Sequence, residues 1–216
     1  GEPLKVNKIG NAAERREQVI KLLEDVGLDR QYLNRYPHAF SGGQRQRLVI
    51  ARALALRPKL IVCDEAVSAL DVSVQAQILN LLAELKKEYG LSYLFVAHDL
   101  EVVRHIADRV AVMYAGSILE TGTCREVFDD PLHPYTKALL AASPKADPAY
   151  RGARQKLTGE VPDPSNLPSG CVFHPRCEFA YDRCPQEVPP DHRRGSRLVR
   201  CHLYEAEDAV SEEVGR

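Results

Sequence analysis

The sequence predicts an α/β protein in which helices cover a largely parallel sheet, followed by a smaller irregular segment. Two short apolar runs, Lys59–Asp64 and Leu91–Ala97, are typical of buried parallel strands, because they lack the alternation of a strand with one wet face. The pattern of Val72–Tyr89 between them indicates an amphipathic helix, with Gly90 placed to end it. Strands that alternate with helices favour a layered α/β sheet.

Other elements follow from the same periodicity and from turn residues. A hairpin is predicted from Arg109–Tyr114 and Ser117–Glu120, joined at Ala115-Gly116. Apolar residues at helical spacing predict three further helices, at Ala12–Gly27, from Ser41 to about Leu56, and at Leu100–Ile106.

The texture of the sequence changes after Pro131, so we place a domain boundary near Asp130, between residues 1–130 and 131–216. A short helix is predicted at Thr136–Ala142, followed by a Pro-rich stretch from Pro144 to Pro168 and by a cysteine-containing segment.

Composition excludes several classes of protein. Among 216 residues, 29 basic side chains face 30 acidic ones, which gives no electrostatic footprint for nucleic acid. No apolar run approaches the roughly 18–20 residues that span a bilayer. Because no signal-peptide pattern is present, we expect a cytosolic location.

The segment Ser41-Gly42-Gly43 is a candidate phosphate site. Ser41 is expected to cap a helix, and two glycines in the first turn would let an anion approach the positive helix end. A capped helix with a Gly-rich start and no ligand is the alternative, which this segment taken alone favours.

Two apolar strands end in polar side chains that could serve phosphoryl transfer. Asp64 and Glu65 follow the first strand, where one carboxylate can position Mg²⁺ and the other a water molecule. His98 follows the second strand, and Asp71 is expected to cap the helix between them. Each residue alone also fits a solvated turn, a helix cap or a structural histidine.

Taken together, these motifs resemble a known family. Residues 35–121 look like the C-terminal half of an ATP-binding-cassette (ABC) ATPase. Ser41, Gly42, Gly43 and Gln44 are similar to the family's signature motif, and Ser68–Asp71 to its D-loop. Asp64 and Glu65 resemble the Walker B aspartate and the adjacent catalytic glutamate, and His98 resembles the switch histidine.

The resemblance implies a division of labour in a dimer that binds ATP between its subunits. Asp64 is expected to help hold Mg²⁺, Glu65 to act on the attacking water, and His98 to contact the γ-phosphate. The signature residues are expected to bind the ATP of the partner subunit, and Asp71 to lie across the dimer interface.

Two departures from the family pattern change these expectations. Ala66 occupies a position where the family usually has proline, which is expected to loosen the turn modestly. The phosphate-binding motif G-x-x-x-x-G-K-[ST] does not occur. The expected fold is therefore a P-loop NTPase-like ABC nucleotide-binding domain that lacks its N-terminal part, with unpaired strand edges and little ATPase activity of its own.

The C-terminal segment narrows the resemblance to the ATPases of oligopeptide and dipeptide importers, and to the second ATPase of each pair. The sequence segments that carry this resemblance are Asp130–Thr136, Leu139–Pro144, Gly159–Pro162 and Pro168–Cys177. The implied partners are a second ATPase subunit in a heterodimer, two transmembrane permease subunits and, indirectly, an extracytoplasmic peptide-binding protein. The implied location is the cytoplasmic face of the cell membrane.

Four cysteines, Cys171, Cys177, Cys184 and Cys201, have the spacing C-x5-C-x6-C-x16-C. In a cytosolic protein such a cluster indicates metal before disulfides. The resemblance implies a [4Fe–4S] cluster with a structural role; zinc and four reduced thiols remain alternatives.

Two other functions compete with peptide import. One is an ABC protein that acts in DNA repair or translation, which the balanced charge and the importer-like extension disfavour. The other is a non-catalytic remnant of a truncated gene, which the missing phosphate-binding motif favours but the intact Asp64, Glu65 and His98 disfavour.

Overall fold

The computed structural model describes residues 1–142, 159–160 and 162–205. The chain divides into two compact units, Gly1–Ile106 and Ala107–Arg216. This division lies before the boundary near Asp130 that the sequence suggested; that boundary rests on the change in sequence character after Pro131 and stays a prediction. Most of the Pro-rich stretch from Pro144 lies outside the described residues.

The first unit contains five α-helices, two short 3₁₀ helices (Arg30–Asn34 and Pro37–Ala39) and a two-stranded parallel sheet among its described residues. Its predicted elements are confirmed to within a few residues at each end, and the short N-terminal helix is an addition. The helices are α1 (Glu2–Val6), α2 (Ala12–Asp25), α3 (Gly42–Leu54), α4 (Val72–Tyr89) and α5 (Leu100–Ile106), and the strands are β1 (Leu60–Asp64) and β2 (Ser92–Val96).

The sheet is covered on one face only, so the prediction of fully buried strands was wrong. Ile61, Tyr93 and Phe95 pack against the core that α4 forms with α2 and α3. Side chains of the other face are between 48% and 60% exposed: Leu60, Val62, Leu94 and Val96. A parallel strand is buried on both faces only where other elements lie on both sides of it, and no element of the described chain covers this face.

The second unit is built on a four-stranded antiparallel sheet with the order β3-β4-β6-β5. The predicted hairpin is present as β3 (Arg109–Tyr114) and β4 (Ser117–Thr123). Its two turn residues, Ala115 and Gly116, both have positive φ, as tight hairpin turns require. Strands β5 (Asp191–Arg194) and β6 (Arg197–Arg200) were not predicted, because their charged sequence lacks an apolar alternation.

Two further helices, α6 (Cys124–Asp129) and α7 (Pro134–Ala142), follow the hairpin. An aromatic cluster joins α7 and the cysteine segment to the sheet. The ring centroid of Tyr114 lies 4.7 Å from that of Tyr135 and 5.3 Å from that of Phe173. Buried Glu120 of β4 fixes the start of α7, since its carboxylate accepts the N–H groups of Leu132 and His133 at 2.8 and 2.9 Å.

His133 is only 1% exposed, and its Nδ1 accepts the N–H of Tyr135 at 2.9 Å, as a helix cap does. Burial lowers the pKa of its imidazole from 6.5 to about 4 in the folded state. The unfolded chain therefore takes up a proton first as the pH falls, so the free energy of unfolding decreases below about pH 6.5.

We predict that this histidine contributes up to about 3 kcal/mol of acid destabilisation between pH 6.5 and 4, the range that its pKa values set. His133→Asn should retain a cap acceptor and flatten the pH dependence in this window. Urea unfolding at several pH values measures this slope. An unchanged slope in the variant would show that His133 is not buried in its neutral form.

Candidate functional site

The carboxyl ends of β1 and β2 bring three of the predicted site residues together. The strands pair in parallel with Asp64 opposite Val96, and the N–H of Glu65 donates to the Val96 carbonyl at 2.9 Å. His98, which follows β2, places its Nδ1 3.1 Å from Oε1 of Glu65. Both side chains are more than half exposed, so this pair is accessible to a ligand.

The start of α3 is held by reciprocal hydrogen bonds. Oγ of Ser41 accepts the N–H of Gln44 at 3.3 Å, and Oε1 of Gln44 accepts the N–H of Ser41 at 3.1 Å. The predicted cap at Ser41 is confirmed. The structural use of Gln44 was missed, although the spacing S-x-x-Q is the sequence signature of such a capping box.

Asp71 also has the structural role expected for it. Its carboxylate accepts the N–H of Val74 at 2.9 Å and the hydroxyl of Ser73 at 2.7 Å, and so caps α4. These hydrogen bonds stabilise the charged form and hold the pKa of the carboxyl below its usual value.

A groove in the first unit joins the start of α3 to the carboxylates. Gly42, Asp64 and Glu65 line it, with Val49 and Val62 among its apolar walls. Its volume of about 600 Å³ lies in the range of small-molecule sites. Two of the predicted motifs therefore border one cavity.

The two glycines of α3 have different surroundings. A Cβ at Gly43 would lie 2.5 Å from Cγ1 of Val74, so the close approach of α3 to α4 depends on this glycine. A Cβ at Gly42 would meet Leu70 at 3.6 Å, an ordinary contact. Packing within this chain therefore explains why position 43 is glycine. It does not explain why position 42, which lines the groove, is glycine.

The four predicted metal-ligating cysteines line a single enclosed cavity of about 20 Å³ in the second unit, enough for about one water molecule: Cys171, Cys177, Cys184 and Cys201. None of them forms a disulfide. Burial raises the pKa of Cys201 to about 11 and also raises the pKa of Cys171 and Cys177. Within the described residues, no group of three or more His, Cys, Asp or Glu side chains is arranged to hold a metal ion.

Backbone N–H groups point at three of these sulfurs and stabilise their anionic forms. Phe173 donates to Cys171, Phe179 to Cys177, and Leu203 to Cys201. His133 and His202 border the same cavity and were not identified from the sequence. Sequence spacing could not show that these histidines lie near the cysteines, because most of the cysteines are distant from them along the chain. The fold alone brings them together.

Two protein-family models match this sequence, one in each half of the chain. A family model described as "ABC transporter" matches residues 3–68, which include Ser41–Gln44, Asp64 and Glu65. A second model, "Oligopeptide/dipeptide transporter, C-terminal region", matches residues 119–184, which include three of the four cysteines.

Curated relatives are described as ATP-binding proteins of peptide transport. The dipeptide transport ATP-binding protein of Haemophilus influenzae is 53% identical over 93% of this chain and 62% of its own length. The oligopeptide transport ATP-binding protein of Bacillus subtilis is 51% identical over 94% of this chain and 63% of its own. Over more than nine tenths of its length, the chain is therefore similar to peptide-transport ATP-binding proteins.

Solved structures support the fold of this family. The chain is similar to CbiO1 of Clostridium perfringens, part of an ABC transporter complex, with a TM-score of 0.54 and 32% identity over 58% of this chain and 50% of that one. An ATP-binding cassette in its ADP conformation gives a TM-score of 0.51 and 32% identity, over 57% and 49% of the two chains. The fold is thus the α/β fold of ABC cassettes, as predicted.

The chain spans about three fifths of the length of the curated relatives it matches. No helix in the described ranges is long and apolar enough to cross a membrane.

The different surroundings of the two glycines give a test of the site's architecture. Gly43→Ala should lower the free energy of unfolding by about 1–3 kcal/mol, because the new methyl group overpacks against Val74. Gly42→Ala is the matched control and should be neutral or slightly stabilising, since alanine favours a helix. Chemical denaturation measures both, and equal effects would contradict the packing role of Gly43.

Proposed function

We propose that this sequence forms part of an ATPase that powers the import of di- and oligopeptides through a membrane ABC transporter. The observation that carries the proposal is the meeting of Asp64, Glu65 and His98 at one sheet edge, with Glu65 and His98 in hydrogen-bond contact. The peptide specificity rests on relatives described as dipeptide and oligopeptide transport proteins.

The residues at this edge suit phosphoryl-transfer chemistry. Asp64 is exposed at the strand end, and a free carboxylate of this kind is a ligand that Mg²⁺ prefers. Bound Mg²⁺ would neutralise part of the negative charge on the phosphates. Glu65 would orient the attacking water and accept its proton. His98 would donate a hydrogen bond to the γ-phosphate.

The start of α3 would act on the nucleotide of a second ATPase subunit. Its N–H groups carry partial positive charge, and Gly42 leaves them uncovered on the groove side. Ser41 caps the helix through one lone pair of its hydroxyl and can still donate its hydrogen to phosphate. Gln44 and Gly43 would fix this geometry, and Asp71 would lie at the subunit interface.

The same proposal assigns partners and location. Two transmembrane permease subunits would receive the motion of the ATPase pair at the cytoplasmic face, and an extracytoplasmic binding protein would deliver the peptide. The match of residues 119–184 to the peptide-transporter region favours this assignment over DNA repair or translation. Residues 1–216 alone contain no G-x-x-x-x-G-K-[ST] motif, so we expect little ATP turnover from them in isolation.

Substitution at Glu65 tests the hydrolytic role. In the full-length protein assembled with its partner, Glu65→Gln should lower kcat for ATP by about 10²–10⁴-fold, the usual contribution of a positioned acid or base. ATP binding should persist, because the amide keeps the size of the side chain. Glu101→Gln, at an exposed glutamate at the start of α5, is the control and should retain wild-type turnover. Unchanged kcat in Glu65→Gln would rule out Glu65 as the base.

We also propose that the four cysteines hold a [4Fe–4S] cluster that stabilises the second unit. The donor set fits: four thiols and no carboxylate line one cavity, and N–H groups aimed at three sulfurs would stabilise thiolate ligands. The cavity is narrow and its side chains are not arranged around one ion, so ligand binding would require the thiols to move. Zinc is the second candidate, and four reduced thiols are the third.

The visible absorbance and metal content of anaerobically purified protein distinguish these three candidates. A cluster predicts broad absorbance at the blue end of the visible spectrum, with iron and sulfide in equal amounts. Cys184→Ser should abolish the absorbance and lower the thermal midpoint, whereas Cys124→Ser, outside the cavity, should change neither. Zinc without iron in the purified protein would identify a zinc site, and the absence of both metals would reject metal binding.

A further inference from the structure

Glu65 has an unusual backbone conformation for a residue that carries a side chain. Its φ is +46°, in the left-handed region that crowds Cβ against the backbone. Ala115, with the same φ, lies in a hairpin turn, and Lys8 and Arg57 follow helix ends, where such conformations are ordinary. Glu65 instead follows a strand and borders the candidate site.

Several hydrogen bonds fix Glu65 in this conformation. Its N–H donates to the Val96 carbonyl at 2.9 Å, and its own carbonyl accepts the N–H and the hydroxyl of Ser68 at 3.1 and 3.0 Å. The carboxylate completes the set through its contact with His98. Strained conformations persist where the surroundings determine them in this way, and they concentrate at functional sites.

The next residue decides whether this conformation is available. Proline at the position of Ala66 would place its ring against the N–H and Cβ of Glu65 and would push Glu65 toward extended conformations. Alanine imposes no such restriction. Ala66 therefore leaves both conformations open to Glu65, the carboxylate that would act on the attacking water in the proposed chemistry.

We propose that the turn Glu65–Ser68 is a conformational switch, in which Ala66 gives Glu65 access to a left-handed state that ties its carboxylate to His98. In the extended state the carboxylate turns away from this partner and becomes available to a water molecule or a metal-bound phosphate. The functional meaning rests on the proposed ATPase role of Glu65, whereas the switch itself can be measured without nucleotide.

Paired substitutions at position 65 reveal the sign of φ. Glycine is favoured over alanine where φ is positive and disfavoured where φ is negative. With Ala66 present, Glu65→Gly should therefore unfold at a midpoint about 2–4 °C above that of Glu65→Ala. In the Ala66→Pro background the order should reverse. Ala76→Gly, on the exposed surface of α4, is the control and should lower the midpoint.

A spectroscopic measurement tests the contact with His98 independently. The imidazole resonances of His98 in Ala66→Pro should move toward the positions that they have in Glu65→Gln, because the first change turns the charged carboxylate away from His98 and the second removes its charge. A lower midpoint for Glu65→Gly than for Glu65→Ala with Ala66 present would overturn the switch. So would resonances in Ala66→Pro that match the wild type. Neither result would bear on ATP hydrolysis, which the kcat of Glu65→Gln measures separately.

Discussion

The parallel pairing of β1 with β2 is the interaction on which the candidate site depends. Glu65 and His98 are 33 positions apart in the sequence, and they meet because Leu60 through Asp64 pair in register with Ser92 through Val96. The hydrogen bond from Glu65 to Val96 extends this pairing by one residue beyond the strand. A slip of one residue would turn each side chain to the opposite face and would separate the carboxylates from the histidine. Packing of Ile61 and Phe95 against the α4 core therefore fixes the site as well as the sheet.

Several residues of the candidate site have a structural task that alone would explain their presence. Ser41 and Gln44 cap α3, Gly43 permits contact with Val74, and Asp71 caps α4. A cap and a phosphate site are compatible, because both use the unpaired N–H groups at a helix start. Gly42 differs, since packing within the described chain does not require it. This residue is thus the strongest indication in α3 of a ligand.

Sequence periodicity predicted the elements that carry the site and failed where structure depends on distant contacts. Val72–Tyr89 was predicted to the residue, because its apolar stripe, the cap at Asp71 and the stop at Gly90 all agree. The exposure of Val62 and Leu94 could not be predicted, since composition reports that a strand suits burial but not whether a covering element is present. Strands β5 and β6 escaped prediction because their charged sequence lacks an apolar alternation, and the pairing of β6 with β4 spans a long stretch of sequence. The left-handed conformation of Glu65 likewise depends on Val96 and Ser68 rather than on its own residue type.

The two hydrophobic cores of the described chain suggest why the cysteines matter to one unit only. The core of the first unit consists of 17 buried apolar residues, most of them leucine, isoleucine or valine. That of the second unit contains five, and two of these are Cys171 and Cys184. A small core supplies little hydrophobic stabilisation, and such domains commonly depend on cross-links or metals. Ligation of the thiols would connect the segment after Pro168 to β6 through bonds stronger than packing. The proposed metal centre would therefore serve the stability of the second unit, and the proposed hydrolysis at Asp64 and Glu65 has no chemical need of it.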